Sequence, residues 1–300
     1  MKRSVAALLV LLGGASYGLL GTFVNFGYGE GYTVGEMTGS QMFFGALFLW
    51  VVALFNRRTW KKMRIKTVLL LVSAGSLNGL TGVLYYSSMQ TVPASIAIVL
   101  LFQFAWVGML YAWLFDGLKP TKPMLVSLVL ILVGTFFAAD VFTGGFEGLS
   151  PWGVLSGFLS AFTFAGFIYV SGRLATEVTP WLRSPLMVSG AALAIFVLFP
   201  PSFFTSGTLV EGLWKYTFPL ALFGAVVPTV CFTMGAPRLK SGVATILSSI
   251  ELPVAVVMAY LVLKETVHFW RWFGVLLILF AIAYGELREK KAGSTEPQSK

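Results

Sequence analysis

Residues 242–263 read GVATILSSIELPVAVVMAYLVL, with one charged residue, Glu251, and one proline, Pro253. As a helix, this stretch spans about 33 Å at 1.5 Å per residue, close to the hydrocarbon thickness of a bilayer. Glu251 falls near its middle, where a carboxylate costs several kcal/mol unless it is protonated, paired or facing water. Its helical face holds Ala244, Leu247, Ser248, Val254, Ala255 and Met258, small enough in part to admit a neighbouring helix or a water-filled cavity. Pro253 donates no hydrogen bond, and its ring presses on the Ser249 carbonyl. A kink and a spare acceptor are therefore expected about half a turn from the carboxylate.

The composition places this stretch in a membrane protein. Of 300 residues, 57% are hydrophobic and 11% charged, and mean hydropathy is +0.84. A soluble domain is about a quarter charged. The 32 glycines suit helices that pack closely without a hydrophobic drive between them. Cys231 is the only cysteine and His268 the only histidine, so neither an intrachain disulfide nor a Cys/His metal site can form. No metal and no cofactor is expected. The formal charge of +9 is explained by the positive-inside rule, and no nucleic-acid partner is expected.

Nine further apolar runs make ten spans in all: 4–27, 34–55, 67–89, 93–115, 123–142, 151–172, 184–204, 216–236, 242–263 and 269–285. The first run continues past the small residues around Ser16, so it reads as a span and not as a cleaved leader. Ten spans put both termini on one side. That side receives 18 of the 21 lysines and arginines, among them Lys2, Arg3, Arg57, Arg58, Lys61, Lys62, Arg64, Lys66, Lys119, Lys122, Arg173 and Arg183. Lys215, Lys264 and Arg271 fall on the other. This bias predicts cytoplasmic termini in a multi-pass protein of the cell (inner or plasma) membrane.

A repeat underlies the spans. Residues 105–114 (AWVGMLYAWL) align with 252–261 (LPVAVVMAYL) at an offset of 147, and Lys119-Pro120-Thr121 answers Lys264-Glu265-Thr266 in the turns that follow. Five spans per half is an odd number, so the second half enters the membrane in the opposite sense. That is an inverted repeat, an arrangement that puts a substrate site near the midplane between halves. The expected units are residues 1–142, an extracytoplasmic linker 143–149, an inverted second unit 150–287, and a disordered tail 288–300.

The whole pattern resembles the drug/metabolite transporter superfamily, EamA type. Tyr17-Gly18 stands where the family often has Trp-Gly, AWLFDGLKPT at 112–121 where it often has AWLFLGERLT, and ILSSIELPVAVVMAYLVLKET at 246–266 where it often has Glu-Pro, an apolar run and Gly-Glu. In this chain Leu252 separates Glu251 from Pro253. The resemblance implies an all-helical secondary transporter exporting small metabolites or amino acids, with alternating access about a central cavity.

Several residues are candidates for the substrate or proton pathway. Glu251 either carries a proton or meets a substrate amine. Its bland reading is a protonated structural acid bonded to a neighbouring helix. The amides Asn25, Asn78, Gln41 and Gln103 either line a pathway or tie helices together. Ser248 shares the Glu251 face. The aromatics Tyr85, Tyr86, Phe102, Phe104, Trp106 and Tyr169 form a pocket wall or pack against lipid. Asp140 and Glu36 sit at headgroup level or guard a cavity mouth, and Asp116 reads as a turn residue. Pro93, Pro228 and Pro253 are candidate bending points. No Walker sequence occurs, so the chain does not hydrolyse ATP. With one histidine and no acidic cluster around it, an intramembrane enzyme is not expected. A non-transporting receptor or a channel-like protein is the alternative. Both halves lie in one chain, so a monomer suffices and a dimer is compatible; the partners expected are a small-molecule substrate and the lipid bilayer.

Overall fold

The computed structural model describes residues 1–55, 63–139, 149–264 and 266–295. Asp140, the basic residues Arg57, Arg58, Lys61 and Lys62, and nearly all of the 143–149 linker lie outside them. Among the described residues the regular structure is all helical, with no strand. In order the helices are α1 (Arg3–Tyr17), α2 (Leu20–Gly29), α3 (Val34–Phe55), α4 (Ile65–Thr91), α5 (Ala94–Leu101), α6 (Phe104–Asp116) and α7 (Lys122–Ala138). There follow α8 (Pro151–Ser171), α9 (Pro180–Leu198), α10 (Trp214–Ala221), α11 (Val227–Gly235), α12 (Ser241–Ser248), α13 (Glu251–Leu261) and α14 (Phe269–Thr295). Among the described residues nine helical stretches are long and apolar enough to cross a membrane. The shorter α7, packed along α14, supplies the tenth span.

Four expectations about the spans are corrected. The seventh was expected over 184–204, but α9 starts at Pro180 and ends at Leu198, because proline suits the first turn of a helix. Arg183 therefore lies inside α9 and not in a loop, and it is 1% exposed. Its Nη1 donates to the Thr233 carbonyl (3.0 Å) and its Nη2 to the Ser171 carbonyl (2.7 Å). The helix α14 runs to Thr295, through residues expected to be a disordered tail. The ninth span is two helices, not one bent helix.

This last break has a partner. Ile250 N donates to Leu247 O (3.3 Å) and Val254 N to Ile250 O (3.2 Å). In the fourth span Gln103 N donates to Leu100 O (3.2 Å) and Val107 N to Gln103 O (3.3 Å). These are the same two bonds, 147 positions apart. The residue matching Pro253 is Trp106, so a proline is not what breaks the fourth span. The first span is also broken, at Gly18-Leu19, where Gly18 N turns back to Ala15 O (3.1 Å). The eighth carries a wide π turn at Leu222–Val226 ahead of Pro228, whose missing N–H frees a carbonyl one turn back.

Packing follows the repeat. Span three lies against span seven, and span eight against span two; span three against span six, and span eight against span one; span four against span six, and span nine against span one. Exchanging the halves turns each pair into the other. This is the two-repeat architecture that the sequence periodicity announces. Glycine permits the closest of these approaches. A methyl at Gly75 of α4 would strike the Met187 backbone, and one at Gly190 of α9 would strike the Val72 backbone. At α7 and α14, a methyl on Gly274 would lie 2.5 Å from the Gly134 carbonyl.

The two halves are also joined by charge. Arg3 Nη1 and Nη2 reach the Glu286 carboxylate at 2.6 and 3.0 Å, so both ends of the chain lie at one end of the bundle, here the near end. At the same end Arg173 Nη2 meets Asp116 Oδ2 at 2.6 Å, and the Tyr169 hydroxyl donates to Asp116 Oδ1 at 2.8 Å. Asp116 is thus an ion-pair partner more than a turn residue, and its hydrogen bonds push the Arg173 pKa up. Both pairs are partly exposed, and each is worth roughly 0–1 kcal/mol.

Replacing Gly75 or Gly190 by leucine forces α4 and α9 apart. A loss of about 1–3 kcal/mol is expected, read as a lower midpoint in thermal unfolding of the purified protein in detergent, while leucine at the open position Gly21 leaves it unchanged.

Candidate functional site

Tyr17, Asn78 and Glu251 lie at one depth. Asn78 is 13 residues from either end of α4. Glu251 is central in the span Gly242–Leu261, and Tyr17 in Arg3–Gly29. All three line a cavity of about 80 Å³ that extends from this midplane toward the far end along Gln41, Tyr85 and Tyr86. Phe164, Gly224 and Ala255 complete it from the second half. Both repeats therefore contribute walls. The volume holds a few waters, and a larger guest needs the walls to part.

Local chain geometry places each group. The break at Ser249-Ile250 makes Glu251 the first residue of α13, where the unpaired amides of a helix start carry partial positive charge. A close approach of α1 fixes its position. A methyl on Gly18 would lie 2.5 Å from the Glu251 carbonyl, and one on Gly14 would lie 2.9 Å from the Ser248 carbonyl. Gly14 and Gly18 form a small-xxx-small pair, which lets backbones touch in a membrane. The contact seats Tyr17 and Glu251 in the same cavity.

The polar groups there are incompletely satisfied. The Tyr17 hydroxyl donates to Asn78 Oδ1 (3.1 Å), and the Tyr86 hydroxyl to Gln41 Oε1 (3.2 Å). Asn78 Nδ2 and Glu251 Oε2 are buried without a protein partner. An amide donor and a carboxylate acceptor left open at the midplane are what a polar guest would engage. Among the described residues, no lysine or arginine lines the cavity. Toward the near end the cavity is closed by rings. Tyr17 meets Phe164 edge-on at 5.3 Å and stacks on Phe232 at 6.2 Å; Phe104 meets Phe164 at 4.8 Å.

Other sequence candidates fall elsewhere. Gln103 and Trp106 engage each other, the indole N–H donating to Gln103 Oε1 at 2.9 Å, while the amide donates to Val99 O. Neither lines the cavity. Ser248 is buried and donates to Ala244 O (2.8 Å), behind the site. Asn25 is exposed. Glu36 caps α3, accepting from Thr33 N and Thr33 Oγ1 at 2.9 and 2.8 Å, a capping box at the far end. Pro93 precedes α5, Pro228 opens α11 after the π turn, and Pro253 follows the ninth-span break. Tyr17, Thr81, Phe164 and Gly224 are additions to the site. Tyr17 was legible through its place in the Gly14–Gly18 pair; Phe164 and Gly224 look like any other residue of an apolar span.

Comparison with known proteins agrees with this architecture. The model of the EamA-like transporter family matches residues 4–139 and again 151–284. A protein of Synechocystis sp. (strain ATCC 27184 / PCC 6803 / Kazusa), named as an uncharacterized transporter, is 25% identical over 277 residues, covering 84% of this chain and 81% of its own. A solved structure, titled only as the crystal structure of a protein, superposes with a TM-score of 0.76 at 17% identity. It covers 97% of this chain and 99% of that one, a likeness of fold.

With Cys231 replaced by serine, Ala255→Cys is expected to react with a small cationic methanethiosulfonate reagent. Ser248→Cys is expected to react at least about tenfold more slowly, as a group packed away from water. Equal labelling rates would place the cavity elsewhere.

Proposed function

This chain belongs to the EamA-like transporter family, and we propose that it is a secondary carrier exporting a small metabolite or amino acid, with Glu251 at the centre of its pathway. A membrane transporter of this family handles small molecules within the bilayer. The finer reading rests on one observation: Glu251 Oε2 is buried at the midplane without a partner, in a cavity walled by both repeats. Membranes tolerate such acids where they move protons or hold substrates.

Two roles suit that carboxylate. It carries a proton that exchanges for substrate, or it meets the substrate's ammonium group directly. In both, Asn78 Nδ2 supplies a donor, and Tyr17, Tyr85, Tyr86 and Phe164 offer faces to an apolar or aromatic body and to a cation. That no basic residue lines the walls among the described residues favours neutral or amine-bearing substrates over organic anions. The ring cluster on the near side of the cavity supports a carrier over a channel, since no open path is needed in this state. Rocking of the halves, with bending at Gly18, Pro228 and the 249–250 break, would expose the site to each side in turn. The repeats are assigned to 1–142 and 150–287, joined by 143–149. The near end is assigned to the cytoplasm of the cell membrane from the charge bias. A monomer is sufficient, and transport involves no covalent chemistry on the substrate.

The test is efflux from loaded vesicles with an imposed proton gradient. If protons exchange for substrate, efflux slows as the pH on the receiving side rises, because fewer protons are available to enter. Glu251→Gln is expected to cut gradient-driven efflux at least about tenfold, the scale of one lost proton-transfer or charge-assisted contact. Tyr17→Phe should lower it less, since Asn78 keeps its amide. Unchanged transport with an unchanged pH dependence in Glu251→Gln would remove Glu251 from the pathway.

A further inference from the structure

The near end of the second repeat holds a buried corner of hydrogen-bond donors outside the transport cavity. Among the described residues six buried side-chain polar atoms lack a protein partner. Asn78 Nδ2 and Glu251 Oε2 belong to residues that line the cavity. Three of the others, Arg183 Nε, Ser171 Oγ and Thr179 Oγ1, lie where α8 ends and α9 begins. The bond from Arg183 Nη2 to the Ser171 carbonyl (2.7 Å) joins the two helices there. Thr179 immediately precedes α9 and stands four residues before Arg183, the spacing at which helical side chains meet. Its hydroxyl makes no cap bond, although threonine in that place ordinarily caps. Long helical side chains lean toward the helix start, which carries Arg183 Nε over the first turn of α9, on the Thr179 side.

The corner is also positive. Arg183 is buried, and among the described residues no carboxylate pairs with it. Glu177 is exposed in the turn between α8 and α9, and Asp116 is held by Arg173 and Tyr169. The two Nη groups meet carbonyls of Ser171 and Thr233, in the last turns of α8 and α11, whose partial negative charge offsets part of the guanidinium. The start of α9 adds partial positive charge back.

We propose that this corner binds a small monovalent anion. Arg183 Nε–H only donates, so its partner is an acceptor. The Ser171 and Thr179 hydroxyls donate to the same acceptor, and a buried cation is best met by negative charge. A helix start is a ready seat for anions, and this one carries a buried guanidinium and two open hydroxyls besides. Ser171 is fully buried, so the guest is small. Thr179 and Pro180 are half-buried, so it enters from the near-end surface. Once bound, it ties the near ends of spans six and seven together. Arg183, Ser171 and Thr179 do not line the transport cavity, so the site does not rest on the carrier reading.

The intact chain is purified in neutral detergent and melted at equal ionic strength in sodium gluconate, sodium chloride or sodium formate. Gluconate is too large for a closed corner and serves as the reference. Wild type should unfold about 2–4 °C higher in chloride or formate, the shift of a site held at several times its dissociation constant. A shift in chloride alone marks a halide seat and a shift in formate alone a carboxylate seat; either supports the site. Ser171→Ala/Thr179→Val leaves the Arg183 bonds to the Ser171 and Thr233 carbonyls in place, since both acceptors are backbone, and should lose most of the shift. Arg183→Gln should melt lower in every salt and show no shift. If Arg183→Gln does not fold, the Ser171→Ala/Thr179→Val variant decides. Lys66→Gln removes an exposed charge at the same end and should keep the shift. Wild type melting alike in the three salts overturns the proposal. So does a shift that survives in Ser171→Ala/Thr179→Val, or one lost equally in Lys66→Gln.

Discussion

Backbone hydrogen bonding in hydrocarbon governs this molecule. An amide or carbonyl without a partner costs several kcal/mol where no water reaches it, so a spanning helix breaks only where protein or cavity water covers the exposed groups. The first, fourth and ninth spans all break at mid-depth: Gly18-Leu19, Phe102-Gln103 and Ser249-Ile250. Each softens the interruption with amides that turn back three residues. The first and ninth breaks cover each other, through the contact of Gly18 with the Glu251 carbonyl. The cavity lies beside them, with Glu251 on its wall.

The repeat supplies the breaks, and departures from the repeat supply the chemistry. Fourth and ninth spans share two backbone bonds under the 147-residue offset, yet Phe104 stands where the second half has Glu251. Phe104 packs among the rings that close the cavity toward the near end, while Glu251 presents an open oxygen to it. One scaffold position has become a barrier in one half and a polar site in the other. Since Trp106 occupies the place of Pro253, the proline reinforces a break that the fold makes without it.

Several features were readable from residues alone because they depend on local composition. Ten apolar spans, the odd number per half, and Glu251 as the costly group at mid-membrane all follow from hydropathy and spacing. Asn78 and Tyr86 stood out as polar groups within spans, and both line the cavity. Gln103 and Trp106 stood out for the same reason, but three residues on a helix is the spacing at which side chains meet, and they satisfy each other. The position of Gln103 beside the counterpart of Glu251 misled, since its amide is held by the Val99 carbonyl and the Trp106 indole and does not line the cavity. Arg183 looked like a loop cation because the seventh apolar run reads as starting at Ser184; Pro180 instead starts α9 early and carries the guanidinium inside.

Hydropathy, charge placement and the repeat determined that this chain is a ten-span membrane protein in two inverted halves with one expensive acid. These are properties of segments, and solvent sets them segment by segment. Tertiary structure decided which polar groups share a cavity. Helices in lipid meet through small residues and close backbone contact, as Gly14 and Gly18 meet the ninth-span break, and no hydropathy pattern encodes which faces touch. That contact brings Tyr17 from one half beside Glu251 from the other, with Asn78 opposite at the same depth.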